Sequence, residues 1–220
     1  MKEPINYIVI PGMEHYAHVT YTWVIMLGFV ALAFALRGGY KMAPEGLQNL
    51  VEYMVQGLAE YADSVMGHEG RRYFPLIGAL AFFIFCSNMI GVLPGCVAPT
   101  SNLNTTLALA LIVFLLYQFV GIYTHGFSYV KQFLGPVWWL MPLMIPIEII
   151  SHLARPVSLS MRLFGNVRGD ELVILVLGFL VPVVLPMPMI LMTMFFGLIQ
   201  TAVFVILTMV YISGALEEAH

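Results

Sequence analysis

The longest uncharged stretch of the chain runs from Tyr73 to Val130 and contains 58 residues without one Asp, Glu, Lys or Arg. A helix rises about 1.5 Å per residue and the hydrocarbon core of a bilayer is about 30 Å thick, so about 20 residues cross it once. The stretch is therefore too long for one crossing. Residues 94–102 interrupt it with a dense cluster of Pro, Gly, Ser, Thr and Asn, which favours a turn. The sequence predicts two membrane-spanning helices joined by this turn.

Composition extends this prediction to the whole chain. Hydrophobic residues make up 60% of the 220 residues and charged residues only 10%, whereas soluble domains carry about 25% charged residues. A chain of this size has no core large enough to hide so much apolar surface, so lipid must cover much of it. We therefore expect an all-α polytopic membrane protein with one integral membrane domain, 1–220. The net charge of −3 is small, and we expect no nucleic-acid partner.

Charged and turn-forming residues separate the other spans. Two tryptophans, Trp138 and Trp139, mark one such boundary, because tryptophan is enriched at membrane interfaces. We expect five transmembrane helices, the last two long. A sixth would result if the prolines of 182–188 break the last helix. The predicted spans are 19–36, 73–93, 103–124, 142–168 and 171–212.

Residues 45–66 have a different pattern. Apolar side chains recur at intervals of three and four from Leu47 to Val65, and acidic residues such as Glu52 and Asp63 lie between them. This spacing predicts an amphipathic helix. We place it on the membrane surface or against another subunit. The alternative is a water-facing helix of a small loop domain.

The distribution of basic residues predicts the orientation. The connection after the first span is rich in Lys and Arg, and the second connection, 94–102, has none. Basic residues accumulate in cytoplasmic loops. We therefore expect the N-terminal segment 1–18 on the external side and the C-terminus in the cytoplasm. The basic residues are Arg37, Lys41, Arg71 and Arg72, with Lys131 in the third connection.

Most of the charge in the apolar part of the chain lies in one segment, 148–171. A charge at the bilayer centre costs about 2.5 kcal/mol or more, so these side chains must face a partner protein or a water-filled path. Several of them recur at intervals of three and four and so share one side of a helix, which we call the polar stripe. The charged residues are Glu148, Arg155, Arg162, Arg168, Asp170 and Glu171. The polar stripe consists of Glu148, His152, Arg155, Leu159, Arg162 and Asn166.

The chemistry of the polar stripe fits proton movement. Carboxylates, imidazole and water pass protons along, whereas arginine keeps its proton and stays charged. A line of proton-carrying groups interrupted by Arg162 is thus two half-paths with a barrier between them. The arginine can also attract a carboxylate supplied by a partner. The alternative is a structural polar seam, in which Arg155 extends to the interface and His152 is a packed histidine.

The residues around Arg162 carry a family resemblance. The run 156–166, Pro-Val-Ser-Leu-Ser-Met-Arg-Leu-Phe-Gly-Asn, closely resembles the signature of the a subunit of F-type ATP synthases. The segments at 87–94 and 99–106 resemble early spans of that family, and the segments at 200–204 and 211–218 resemble its C-terminal helix. The resemblance is close over 70–220 and loose over 1–69.

The resemblance implies an architecture, partners and a function. In that family the last two helices are tilted, nearly in the membrane plane, and form a hairpin around a rotating ring of c subunits, with aqueous half-channels open to opposite sides. The implied partners are the c-subunit ring, the b-subunit peripheral stalk, the rest of the F-type ATP synthase and the lipid bilayer. The implied location is a bacterial inner membrane. The chain would be a non-catalytic, proton-translocating subunit that couples proton flow to ATP synthesis.

Roles for single residues follow from the same resemblance. Arg162 matches the essential arginine that faces the ring, and Glu148 matches a residue of the cytoplasmic half-channel, with His152 as a further candidate for the proton path. Some relatives have a histidine about seven residues before the conserved glutamine, and here that position is Thr193. The residues expected at the external half-channel are Asn166, Asp170, Glu171 and Gln200.

Two other classes of function were weighed on the sequence. A self-contained secondary transporter or channel subunit usually contains an internal repeat, and no repeated half is visible. An enzyme would need a motif such as His-Glu-x-x-His or a phosphate-binding Gly-x-x-x-x-Gly-Lys, and the sequence has neither. The two cysteines, Cys86 and Cys96, form no Cys-x-x-Cys pair. We expect no cofactor and no bound metal.

Overall fold

A computed structural model of the chain describes residues 17–37, 46–93, 95–126, 141–181, 184 and 186–217. Every regular element in these ranges is helical, so the all-α prediction is confirmed. Two short 3-10 turns, Arg71–Tyr73 and Pro99–Ser101, connect longer helices. The α-helices are α1 Ala17–Arg37, α2 Leu47–Gly70, α3 Phe74–Val92, α4 Leu103–His125, α5 Met141–Leu180 and α6 Pro186–Glu217.

Four helical segments are long and apolar enough to cross a membrane by length and composition. Only 17% to 33% of the residues in these segments are buried inside the chain, so lipid or partner proteins must cover the remaining apolar surface. Helix α5 has 40 residues and is about 60 Å long, but its charged residues set it apart from these four. The four segments are Ala17–Ala35, Arg71–Val92, Leu103–Thr124 and Pro186–Leu216.

The boundary between the last two long helices differs from the prediction. The sequence predicted helices over 142–168 and 171–212, but α5 continues without a break through Gly169 to Leu180, and α6 begins at Pro186. A glycine costs a helix only about 1 kcal/mol, which packing easily offsets. Proline ends helices more strongly and is favoured at their first position. The break therefore falls between Leu180 and Pro186, and not at the charged segment around 170.

Helix α2 corresponds to the predicted amphipathic helix and is longer at its C-terminal end. Its two sides differ, since Ala62 is 1% exposed and Tyr53 is 78% exposed. The exposed polar side carries hydrogen-bonded side-chain pairs one turn apart. In one of them Gln56 donates to Glu60 at 2.8 Å. Gly67 has φ +66° and changes the direction of the chain before α3 begins. Helix α2 packs on α3 and α6 with its apolar side.

Helices α3, α4, α5 and α6 pack into one bundle. Ile84, Val113, Leu163 and Phe204 are all at most 1% exposed and come from these four helices in turn. A second buried cluster extends this core toward α2. One side of α5 is therefore fixed against α4 and α6, and its opposite side has no cover within the described residues.

The turn between α3 and α4, over residues 95–102, is packed against the bundle. Thr100 is fully buried and donates to the Asn88 side chain at 2.8 Å, and Tyr21 of α1 donates to the Gly95 carbonyl at 3.3 Å. Asn102 caps α4 by accepting from the Asn104 amide at 2.9 Å. Several predicted features lie outside the described residues, namely most of the segment 1–18, Lys41, Lys131, Trp138, Trp139 and the last three residues.

Candidate functional site

Arg162 projects from α5 on the uncovered side of the helix. Its neighbours Leu159 and Leu163 are 2% and 0% exposed and hold the adjoining side of α5 in the core. Arg162 itself is exposed, and within the described ranges no ion pair involves it. A Cβ atom added at Gly165 or Gly169 would meet nothing within 4 Å. The surface beside the arginine is therefore open to another molecule.

His152 is the centre of a first polar cluster, near the N-terminal end of α5. The side chain is 4% exposed, and its Nε2 lies 3.2 Å from Glu148 Oε1. On the other side of the ring, Nδ1 lies 3.3 Å from the Tyr117 hydroxyl and 3.4 Å from Gln118 Nε2 of helix α4. Both ring nitrogens therefore have polar neighbours, and the imidazole connects the Glu148 carboxyl group to polar groups of α4.

Arg155 does not point the same way as Arg162. Its guanidinium lies over the ring of Tyr117, at 5.8 Å from the centroid, and over the ring of Tyr211, at 5.4 Å. These distances are within the usual range for cation–π contacts. The side chain is half-buried between α4 and α6. The two central arginines of the polar stripe thus have different surroundings, one aromatic and internal, the other open.

A second polar cluster joins α5 to α6. The Asn166 side chain donates through Nδ2 to Gln200 Oε1 at 2.7 Å. Gln200 is 4% exposed, and its Nε2 is buried with no hydrogen-bond partner among the described residues. Both residues line a cavity of about 20 Å³, which is enough for about one water molecule. Its polar lining is Asn88, Asn166, Asp170, Glu171, Thr193 and Gln200.

The acidic residues of this cluster have different partners. Glu171 accepts from Arg168 at 2.9 Å, and Arg168 is half exposed. The Ser101 hydroxyl and the Ala98 backbone amide also lie against the Glu171 carboxyl group, so Glu171 contacts the turn after α3. Asp170 is partly exposed and borders the same cavity. Two carboxyl groups therefore lie beside the Asn166–Gln200 pair.

The predicted site residues fall into three places along α5. Glu148 and His152 form the first cluster, and Arg162 lies alone on the open side. The step from His152 to Asn166 is 14 residues, which is about 21 Å along the helix. The second cluster contains Asn166, Asp170, Glu171 and Gln200.

Sequence reasoning missed the neighbours that other helices contribute to these clusters. They lie in uncharged runs, and the only signal was a polar residue inside an apolar helix, which marks a candidate functional position. Within the described part of the chain, no group of His, Cys, Asp and Glu has the arrangement of a metal site. The missed residues are Asn88, Ser101, Tyr117, Gln118 and Tyr211.

The fold and these clusters define a polytopic helical membrane protein whose longest helix carries two polar clusters on either side of an outward-facing arginine. Comparison with known proteins gives the family. The model of the ATP synthase A chain family matches residues 19–213. ATP synthase subunit a 1 of Syntrophotalea carbinolica is 54% identical over 212 residues, which cover 95% of this chain and 91% of that protein. ATP synthase subunit a of Geobacter sulfurreducens is 48% identical over 202 residues, which cover 92% and 88%.

The chain therefore belongs to the ATP synthase A chain family, as the resemblance around Arg162 predicted. Membership assigns it to the membrane sector of an F-type ATP synthase and makes it a multi-pass membrane protein.

Proposed function

We propose that this chain is the stator subunit that provides the proton path of an F-type ATP synthase in a bacterial inner membrane. Protons would travel through two half-paths, and a rotating c-subunit ring would carry them from one to the other. The observation that carries this proposal is the separation of two polar clusters on α5 by the outward-facing Arg162. The subunit itself would hold no catalytic site for ATP, and its function would be proton transfer.

The cluster around Gln200 is proposed as the external half-path. Asp170 and Glu171 offer two carboxyl groups that can take up a proton, and Asn166 and Gln200 offer amides that can orient water between them. A cavity of about 20 Å³ lies among these side chains. Thr193 borders this cavity, so a hydroxyl group stands where some relatives have histidine. Asp170 then supplies the additional titratable group.

The cluster around His152 is proposed as the cytoplasmic half-path. Imidazole can accept a proton at one nitrogen and release one from the other. Here Nε2 faces Glu148 at 3.2 Å, and Nδ1 faces Tyr117 at 3.3 Å. This arrangement supports proton exchange between Glu148 and groups deeper in the bundle. A histidine with polar neighbours at both nitrogens fits this role better than that of an inert core residue.

Arg162 is proposed to meet the ring between the half-paths. The described part of α5 has no carboxylate in the turns next to Arg162, so the carboxylate that the arginine attracts would be on the partner. A permanent cation also repels a hydronium ion that would cross directly between the half-paths. Each charge that crosses 100 mV carries about 2.3 kcal/mol, so a direct leak would dissipate the energy that drives ATP synthesis.

The open surface around Arg162 supports a helical partner. Gly165 and Gly169 present no side chain on this side of α5, and small residues allow membrane helices to approach closely. A self-contained transporter would instead enclose its charged residues within one chain. The uncovered side of α5 therefore favours the ring over that alternative.

The orientation and the remaining partners complete the proposal. The excess of basic residues between α1 and α3 supports a cytoplasmic position for α2, an external N-terminus and a cytoplasmic C-terminus. Helix α2 exposes apolar side chains such as Leu50 and Tyr53, which membrane lipid or a stator partner would cover. We propose the b-subunit peripheral stalk as that partner, because the subunit must not turn with the ring.

The decisive experiment replaces the central arginine. Arg162→Ala should abolish ATP synthesis in inverted membrane vesicles that contain the fully assembled complex. Arg162→Lys should fail as well, because lysine can lose its proton and offers a different donor geometry. Arg72→Ala is the matched control, since it removes an exposed arginine outside the polar stripe and should leave synthesis unchanged. ATP synthesis by assembled Arg162→Ala complex at the rate of the control would overturn the proposal.

A further inference from the structure

Two arginines of α5 have the same charge and similar positions on the helix but different surroundings. Arg155 and Arg162 are seven residues apart, which is about 10.5 Å along the axis and about 20° around it. Backbone geometry alone would therefore point both toward the same side. Instead, Arg155 lies between two tyrosine rings and Arg162 is exposed.

The two tyrosines form a rigid cage around the Arg155 guanidinium. Their ring centroids are 5.9 Å apart, with an angle of 46° between the planes. Phe114 packs edge-on against Tyr117 at 5.4 Å, and Tyr117 is only 1% exposed. The Tyr117 hydroxyl also lies 3.3 Å from His152 Nδ1. Packing and hydrogen bonding therefore fix the Tyr117 side chain independently of its contact with Arg155.

A second free arginine near Arg162 would harm the proposed mechanism. Attraction between charges falls only with the first power of distance and is strong where water is excluded. A ring carboxylate that stops at Arg155 would be held about 10.5 Å from its proper position. The ring would then rest out of register with both half-paths, and each such stop would delay rotation.

We infer that Tyr117 and Tyr211 are positioning residues that hold Arg155 inside the bundle, so that the ring carboxylate meets Arg162 and not Arg155. This inference rests on the proposed function, because it requires the ring carboxylate to approach α5. The aromatic rings act through Arg155, and the contact of the Tyr117 hydroxyl with His152 Nδ1 is separate from that role. The guanidinium lies over the two tyrosine rings, and Tyr117 in turn lies beside His152.

The inference predicts a specific rescue. The double variant Tyr117→Leu/Tyr211→Leu should lower ATP synthesis in inverted vesicles by about tenfold, because it frees Arg155. Adding Arg155→Gln to this double variant should restore synthesis to the level of Tyr117→Phe/Tyr211→Phe/Arg155→Gln, which also lacks both hydroxyls, because no second cation is then available. A purely structural role of the tyrosines would not give this rescue. Synthesis that stays as low in the triple variant, at equal assembly, would overturn the inference.

A second variant tests the same idea with both tyrosines in place. Ser158 is exposed one turn before Arg162, so Ser158→Arg places an additional free cation on the ring side of α5. We expect this variant to lose most of its ATP synthesis and the matched variant Ser158→Gln to retain it. Equal rates for the two assembled variants would contradict the inference even if the tyrosine variants do not assemble.

ATP synthesis by Arg162→Ala, measured in the same vesicles, distinguishes a failure of the tyrosine inference from a failure of the proposed function. If Arg162→Ala abolishes synthesis and the triple variant is not rescued, only the role of the tyrosines is wrong. If Arg162→Ala keeps wild-type synthesis, the proposed function is wrong as well.

Discussion

The Asn166 side chain donates to the Gln200 side chain across 2.7 Å and thereby links helix α5 to helix α6 at the edge of a small cavity. This bond leaves Gln200 Nε2 buried and without a partner among the described residues. A buried amide donor that lacks a partner costs about 1–3 kcal/mol. A water molecule in the cavity would satisfy it, which fits the proposed external half-path.

The first prediction concerns this junction. Gln200→Leu removes both the hydrogen bond to Asn166 and the free amide, so we expect ATP-driven proton pumping to fall by about tenfold. Quenching of a pH-sensitive dye in inverted vesicles measures pumping directly. Thr208→Val is the control, because Thr208 is a buried polar residue of the same helix that donates to its own backbone at Phe204. A pumping rate for Gln200→Leu equal to that control would contradict a role in the path.

The second prediction concerns the two acids of the external cluster. Neutralising both in Asp170→Asn/Glu171→Gln should slow proton pumping strongly while the complex still assembles. Each single variant should have a smaller effect, because either carboxyl group can take up the proton. Glu60→Gln is the matched control, because it neutralises an acid on the exposed side of α2 and should leave pumping unchanged. Unchanged pumping in the double variant would refute the assignment of these acids to the external half-path.

The third prediction concerns orientation. With Cys86 and Cys96 replaced by alanine, Asn102→Cys should react with a membrane-impermeant thiol reagent added from the external side. Arg72→Cys should react only from the cytoplasmic side, because the two positions lie at opposite ends of α3 and its following turn. Loss of the α4 cap at Asn102 costs about 1 kcal/mol, which a packed membrane helix tolerates. Labelling of Asn102→Cys from the cytoplasmic side alone would show that the predicted orientation is wrong.

Sequence patterns predicted the helices and the polar stripe because both depend on local spacing. The apolar runs define where helices can cross a membrane, and intervals of three and four place Glu148, His152 and Arg162 within one broad sector of α5, in which His152 is buried and Arg162 is exposed. The predicted break between the last helices at 169–170 was wrong, because charged residues and one glycine do not by themselves end a helix. In the structure the charges of 168–171 lie within a continuous helix, where Arg168 pairs with Glu171 and the two acids border the cavity.

Tertiary contacts between distant parts of the chain were beyond prediction from these patterns. Tyr117 and Tyr211 meet Arg155 only after α4, α5 and α6 pack together, and one is 38 residues before it and the other 56 after it. Side-chain direction is equally inaccessible, because a long arginine can turn either way from the same Cβ atom. Spacing alone therefore could not separate the internal Arg155 from the exposed Arg162.

The last prediction tests whether a partner really approaches the open side of α5. Gly165 lies one turn after Arg162, and a Cβ atom there would meet nothing within 4 Å, so Gly165→Leu should not disturb the fold of the subunit. A bulky side chain at this point should nevertheless collide with a ring that passes closely, and we expect ATP synthesis to be lost. Gly28→Leu in α1 is the matched control, because Gly28 is equally open and both changes raise helix propensity by about 1 kcal/mol. Equal synthesis by the two assembled variants would show that no partner packs closely beside Arg162.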